Sequence, residues 1–318
     1  MRTLFFGTPA FAVPSLEALA DVSEVVGVVC QPDRPVGRGL ATSKPPVKQR
    51  AEELGLGVVQ PTKLRTGEFA AWVKARDADL ALVVAYGRIL PRDVLEATRL
   101  GFVNVHASLL PRYRGAAPIT WAVVDGEAET GVTLMLLDEG MDTGDMLDVA
   151  RVPIGADETA GELSERLSRL GADMVRSRLA AYARGELTRV PQDHALATVA
   201  RLLEKKDGLV DWSMSAPRIH DRVRGMNPWP GAYTQLHGKT IKLHAVRATG
   251  LSRQQASPPG AVVVADKSRV LVACGGLGEE ARDTVELLRV QLEGKKPVTA
   301  AEWVSGRGVS EGDLLGGS

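Results

Sequence analysis

Four runs in the first half of the chain, TLFF from Thr3, VVGVV from Val25, LALVVAY from Leu80 and GVTLMLL from Gly131, are apolar at nearly every position rather than at alternate ones. A strand that is apolar on both faces has to be covered on both faces, and helical patterns separate these runs. From Thr3 to about Ile154 the chain is therefore limited to a Rossmann-like α/β domain, with a mainly parallel sheet packed between helices. A long helix is expected from about Glu158 to Arg184. Leu163, Leu167, Leu170 and Met174 fall at helical spacing along it, and Gly185 stands as its stop.

Beyond that helix the texture changes. TIKLHAV from Thr240, GAVVVA from Gly260 and RVLVAC from Arg269 are short β-prone runs separated by Gly, Pro and Ser turns. They predict a small OB-like β-barrel domain after the α/β domain. With 318 residues, 44% of them hydrophobic, the chain has enough material for two cores. The expected boundaries are a catalytic domain over 1–188, a linker over 189–206 marked by Pro191 and Gln192, and the barrel over 207–318.

Charge and cysteine usage narrow the function classes. Thirty-nine basic residues balance thirty-nine acidic ones, so bulk electrostatics announce no nucleic-acid partner and any such contact has to come from local clusters. Cys30 and Cys274 are far apart in sequence, and Cys30 sits in an apolar run, so both read as buried free thiols of a cytoplasmic protein. MRTLFFGTPAF fits a first strand rather than a signal peptide, and no apolar stretch approaches the ~20 residues of a membrane span. FFGTPAF lacks the GxGxxG spacing that brings a pyrophosphate to a helix N-terminus, and neither a Walker lysine nor an HExxH pattern occurs. NAD, FAD and metal ions are therefore not expected. Neutral charge and the absence of a coiled coil point to a monomer.

The chemistry is concentrated in NVHASLLPRYRG, Asn104 to Gly115, and LDEGMDTGD, Leu137 to Asp145. Asn104 and His106 are two apart, so on an extended segment they leave the same face. Transfer of an acyl group to an amine needs a polarised carbonyl whose oxygen can become negative and a destination for the amine's proton. An amide N–H from Asn104, an imidazole from His106 and a carboxylate from Asp142 supply these, with Asp142 expected to set the tautomer and charge of His106. No nucleophile elbow is present, which favours direct transfer. Each of the three alone reads equally as a turn former or a satisfied structural polar group.

In combination, NVHASLLP and GMDTGD resemble the signature of the folate-dependent formyltransferase family, with FGTPAFAVPSL, QPDRPVGRG, VVAYGRILP, SLLPRYRGAAPI and MNPWPGA in support. The resemblance extends over essentially the whole chain, and MNPWPGA lies in the second domain, where it is narrower than the rest. It implies transfer of the formyl group of 10-formyltetrahydrofolate to the α-amino group of methionyl initiator tRNA, with Asn104, His106 and Asp142 as the catalytic trio. It also implies a folate-binding loop of Ser108, Leu109, Leu110 and Pro111, and a pterin pocket lined near Ile89 and Leu90. For the latter two segments the residues themselves leave a core role equally open.

The loop from Gln31 to Gln49 carries Arg34, Arg38, Lys44 and Lys48 against Asp33, a net three positive charges. By the resemblance it reaches the tRNA acceptor end, and Arg38 takes the place of the family's critical arginine. Leu40 and Ala41 stand where paired lysines often follow, which weakens the expected phosphate contacts. Lys205 and Lys206, beside Arg201, and the cluster Arg218, Arg222 and Arg224 are further candidates for tracking a phosphate backbone, although each alone also reads as a solvated charge. Trp229, between two prolines, reads more readily as a packing anchor than as a base-stacking platform. Two alternatives stay open: a formyltransferase on a small amine such as an amino sugar nucleotide or glycinamide ribonucleotide, and a non-catalytic RNA-binding protein.

Overall fold

The computed structural model describes residues 1–36, 41–275 and 281–316. They form two compact units. The first comprises Met1–Pro118, Glu129–Pro153 and Ser164–Arg201; the second comprises Ile119–Ala128, Ile154–Leu163 and Leu202–Ser318. In chain order the elements are β1 (Arg2–Gly7), α1 (Val13–Val22), β2 (Glu24–Val29), β3 (Arg34–Val36), β4 (Ala41–Ser43), α2 (Pro46–Glu53), β5 (Val58–Val59), α3 (Glu68–Lys74), β6 (Leu80–Val84), α4 (Arg92–Leu95) and β7 (Phe102–His106). They continue with β8 (Arg114–Gly115), α5 (Pro118–Val124), β9 (Glu129–Leu136), β10 (Met146–Pro153), α6 (Ala160–Ala183), β11 (Val199–Ala200), α7 (Ala216–Gly225), β12 (Ala232–Leu236), β13 (Lys239–Ser257), β14 (Val262–Ala265), β15 (Val270–Cys274), β16 (Ala281–Leu292), β17 (Val298–Thr299) and α8 (Ala300–Ser305).

The first unit is built on a seven-stranded sheet of order β10-β9-β7-β6-β1-β2-β5. Its five strands from β7 to β5 are parallel. As the uninterrupted apolar run predicts, every residue of β6 is buried. Phe6 on β1 anchors one face, with the rings of Phe102, Tyr86 and Phe69 edge-on at 5.3, 5.5 and 6.2 Å. The remaining strands, β9 and β10, are antiparallel to their neighbours. β10 is an edge strand with Leu147 as its one buried residue, so its sequence carries too little apolar periodicity to be read in advance.

Helix α6 begins two residues later than the sequence predicts, because Thr159 caps it. The Thr159 hydroxyl accepts from the Glu162 amide while the Glu162 carboxylate accepts from the Thr159 amide. After α6 the chain stays with the first unit as far as Arg201. Val190 bridges Met146, Gln192 is buried, and β11 pairs in parallel with β8. Low periodicity there reflects a segment pinned by backbone and amide hydrogen bonds rather than by an apolar stripe.

The second unit carries an antiparallel sheet of order β12-β13-β16-β15-β14, with β17 paired to β16. The runs from Thr240, Gly260 and Arg269 become β13, β14 and β15. The MNPWPGA segment links α7 to β12: Met226 is fully buried, Gly231 donates to the Met226 carbonyl, and Trp229 is 52% exposed. Trp229 is thus not the packing anchor that its flanking prolines suggest. Arg218, Arg222 and Arg224 do not form a free basic patch either. Arg218 donates to the Asp125 carbonyl, Arg222 to the Leu209 carbonyl, and the buried Arg224 to Asp221 and the Gly155 and Glu158 carbonyls.

Both cysteines are buried free thiols. Burial pushes the Cys30 thiol up to about 11 against the opposing pull of Lys48, and burial together with Asp283 pushes Cys274 up to about 12. A thiol-specific disulfide reagent at pH 8 is therefore expected to find no reactive cysteine in the native protein and both after unfolding in urea. Unfolded thiols ionise near 9.0, below the folded values, so the unfolded chain holds fewer protons above that pH and this contribution to stability declines as pH rises further. Rapid native labelling would contradict the burial.

Candidate active site

Strand β7 places Asn104 and His106 on one face, two residues apart, and both side chains are less than a tenth exposed. The carboxylate that meets them arrives by an indirect route. β9 runs antiparallel to β7, with Leu136 opposite Val103, so the chain leaves β9 beside the start of β7 and not at its carboxyl end. The segment from Asp138 to Asp145 then folds back. Its tightness requires Gly144, where a Cβ would stand 2.1 Å from the Leu136 carbonyl oxygen. Asp142 itself takes a left-handed backbone, φ 54°, which Asp tolerates better than most residues.

The result is convergence. Asn104 Nδ2 donates to Asp142 Oδ1 at 3.5 Å, His106 Nδ1 lies 3.6 Å from Asp142 Oδ2, and the Gly115 amide donates to that same Oδ2 at 2.9 Å. The first two distances are at or beyond the limit of a good hydrogen bond, so Asn104 and His106 are held near Asp142 without being saturated by it. On its other side His106 Nε2 bonds the Tyr113 carbonyl at 2.9 Å. A carbonyl only accepts, so Nε2 carries a proton and Nδ1 is the ring atom presented to the carboxylate. The backbone of Tyr113, not Asp142, therefore sets the tautomer, and Nδ1 is the atom that faces the carboxylate. Tyr113, Gly115 and Gly144 act through backbone atoms, which explains why side-chain chemistry in the sequence does not reveal them.

The expected folate loop is held from behind. Ser108 is fully buried, its hydroxyl donating to the Arg112 carbonyl and its carbonyl accepting from Thr133, whose Oγ1 also accepts from the Leu110 amide. Ser108 and Leu110 thus stabilise the loop from within, and Leu109 and Pro111 are half-buried. Leu90 lies in the aromatic core cluster, whereas Ile89 is 70% exposed. Met141, next to Asp142, also exposes apolar surface and approaches Gly115.

A recess of about 360 Å³ opens at the carboxyl ends of β1, β2 and β6, lined by Thr8, Gln31, Arg34, Lys44, Pro45 and Tyr86 among others. β1 is where the strand order reverses direction, the customary location of ligands in open α/β sheets. Of the basic residues expected on the loop, Lys44 lines this recess and pairs with Glu52 at 2.6 Å. Lys48 is mostly buried, bonded to both Asp33 oxygens and to Gln60 at 2.8 to 2.9 Å, and is thus committed to clamping the base of the loop. Lys205 and Lys206 are exposed in a short 3-10 turn of the second unit, and Lys206 pairs with Glu204. Arg38 and Leu40 lie outside the described residues. Among the described residues no cluster of three or more His, Cys, Asp or Glu could hold a metal ion, and no helix is long and apolar enough to cross a membrane.

Such a fold, with an amide, an imidazole and a carboxylate meeting over the central strands, corresponds to a recorded class. Residues 1–179 match the family Formyl transferase and residues 202–308 match Formyl transferase, C-terminal domain. The methionyl-tRNA formyltransferase of Sorangium cellulosum is 57% identical over 316 residues, covering 99% of this chain and all of that one. That of Citrifermentans bemidjiense is 46% identical over 317 residues, 99% of this chain and 96% of its own. The chain belongs to the methionyl-tRNA formyltransferase family. Among solved structures, an N-formyltransferase from Helicobacter canadensis in complex with folinic acid and dTDP-3-aminofucose shares the fold, with a TM-score of 0.65 over 90% of this chain and 98% of that one at 16% identity. HypX from Aquifex aeolicus in complex with tetrahydrofolic acid gives 0.60 at 18% identity, over 98% of this chain and 48% of the larger one.

Proposed function

We propose that this enzyme transfers the formyl group of 10-formyltetrahydrofolate to the α-amino group of methionine esterified to initiator tRNA. The observation that carries the reading is the meeting of Asn104, His106 and Asp142 in a chain 57% identical to a methionyl-tRNA formyltransferase over its full length. The neutral amine attacks the formyl carbon, and the new C–N bond forms as the carbonyl oxygen becomes an oxyanion. The Asn104 amide donates to that oxygen, and His106, once Nδ1 takes up a proton from water, donates to it beside the Asp142 carboxylate. Collapse breaks the bond to folate N10, and the proton lost by the amine passes by way of Asp142 and water to the departing N10.

Ile89, Met141 and the loop Ser108–Pro111 offer the apolar surface and backbone groups that a flat pterin requires. The recess between Thr8, Gln31, Lys44 and Tyr86 suits the aminoacylated end of the tRNA, since proline rings and Tyr86 give it apolar lining while Arg34 and Lys44 supply positive charge for a phosphate-bearing chain. Arg38 and Lys44 in the loop, Lys205 and Lys206, and the exposed Trp229 of a C-terminal tRNA-binding domain over 207–318 complete the reading. Lys48 supports the loop rather than touching phosphate. The enzyme acts as a cytoplasmic monomer without a metal.

With 10-formyltetrahydrofolate as donor, charged initiator tRNA is expected to be formylated at least a hundredfold faster than charged elongator tRNA or amino sugar nucleotides, a difference of roughly 2.7 kcal/mol in transition-state binding. Formylation of small amines alone would overturn the assignment of the acceptor.

A further inference from the structure

The segment after α6 contributes one side chain to the site's support that the mechanism above leaves unused. Gln192 is 5% exposed, and all of its amide's hydrogen-bonding positions are engaged. Its Nε2 donates to the Asp142 carbonyl at 2.9 Å and to the Gly144 carbonyl at 2.8 Å, while its Oε1 accepts from Arg114 Nε at 3.0 Å and Nη2 at 2.7 Å. Carbonyls only accept and a guanidinium only donates, so the amide has a single satisfactory orientation. Arg114, itself buried and in contact with His194 Nδ1, immediately precedes Gly115, whose amide holds the Asp142 carboxylate.

We propose that Gln192 is a positioning residue that fixes the Asp142 turn for catalysis. One amide ties together the Asp142 and Gly144 carbonyls within the turn and the arginine next to the amide donor that grips the carboxylate. It thereby holds Asp142 in its left-handed conformation, which lies outside the regions most side chains favour. Glutamate at this position keeps the length and the partnership with Arg114 but sets an acceptor against two carbonyls, so the turn shifts while the buried arginine stays paired. The inference rests on the catalytic reading of Asp142.

The experiment is a kinetic cycle of Gln192→Glu, Gln192→Met, Asp142→Ala and the double variant Gln192→Glu/Asp142→Ala. It measures kcat and KM for 10-formyltetrahydrofolate and charged initiator tRNA, kcat against pH, and thermal unfolding. Gln192→Glu and Gln192→Met are each expected to lower kcat about ten- to a hundredfold, the scale of an ångström misplacement. Both KM values should stay within twofold, and the pH profile of kcat should change on the limb that Asp142→Ala abolishes. In the Asp142→Ala background Gln192→Glu should cost nothing further, because its effect passes through that carboxylate. Equal losses in both backgrounds, KM values that rise as kcat falls, or unchanged kcat in the single variants would each overturn the positioning role. A normal kcat for Asp142→Ala would instead remove the catalytic reading beneath it, which is a separate outcome.

Discussion

Asp142→Ala and Asn104→Ala are each expected to reduce kcat about a hundred- to a thousandfold, the usual cost of removing one preorganised group that meets charge developing in the transition state. For Asp142 the loss has two physical sources. Nδ1 of His106 forfeits the carboxylate that faces it at 3.6 Å, and the Gly115 amide forfeits its acceptor at 2.9 Å. Asp142→Asn narrows the cause, because it keeps an oxygen for Gly115 while it removes the charge and turns a donor toward the Asn104 amide. An asparagine variant near normal assigns the effect of alanine to the Gly115 contact, and one as impaired as alanine assigns it to the charge and the acceptor that face Asn104 and His106. Asn104→Ala removes an amide that Asp142 holds only loosely, at 3.5 Å, so its loss should appear in kcat without a comparable fall in thermal stability. Near-normal transfer by both alanine variants would end the proposed mechanism.

Gly131→Ala carries the largest expected effect on the fold. A Cβ on Gly131 would stand 2.0 Å from the Ala150 carbonyl oxygen on β10 and 2.6 Å from the Leu109 side chain. The Leu109 methyl can swing aside, but the backbone carbonyl cannot. The carbonyl belongs to the β9–β10 ladder, in which Gly131 faces Arg151, and Leu109 precedes the Leu110 amide held by Thr133. Relief requires β10 to move outward, at a cost of about 3 kcal/mol, the upper part of the range for overpacking. For a unit of this size that lowers the unfolding midpoint by roughly 6–12 °C. Because β9 also registers Thr133 against His106 and Met135 against Asn104, kcat should fall as well. Calorimetry showing an unchanged first transition would mean that the sheet edge absorbs the methyl group and that the close approach is not a constraint.

The arrangement of the site explains what these substitutions share. Asp142→Ala and Gly131→Ala act on β9 or the turn that follows it, the element that carries Asp142 back to Asn104 on β7. The acid is distant in sequence from Asn104 and His106, and its position depends on a reversed strand, a tight turn at Gly144 and the buried Gln192 amide.

The chain's own residues determine the strand runs of the parallel core, the helix closed by Gly185, the change to β-rich texture and the identity of the trio, because burial on two faces, helical spacing and side-chain chemistry are local properties written in residue order. Tertiary structure alone decides four things: the antiparallel sense of β9 and β10, the pinning of residues 189–201 on the first unit, the commitment of Lys48, Arg218, Arg222 and Arg224 to internal bonds, and the exposure of Trp229. The tautomer of His106 belongs with them, since a backbone carbonyl sets it. Each turns on which backbone atom or charge lies opposite a given group, and that partner comes from a distant part of the chain, where no local pattern of residues can announce it.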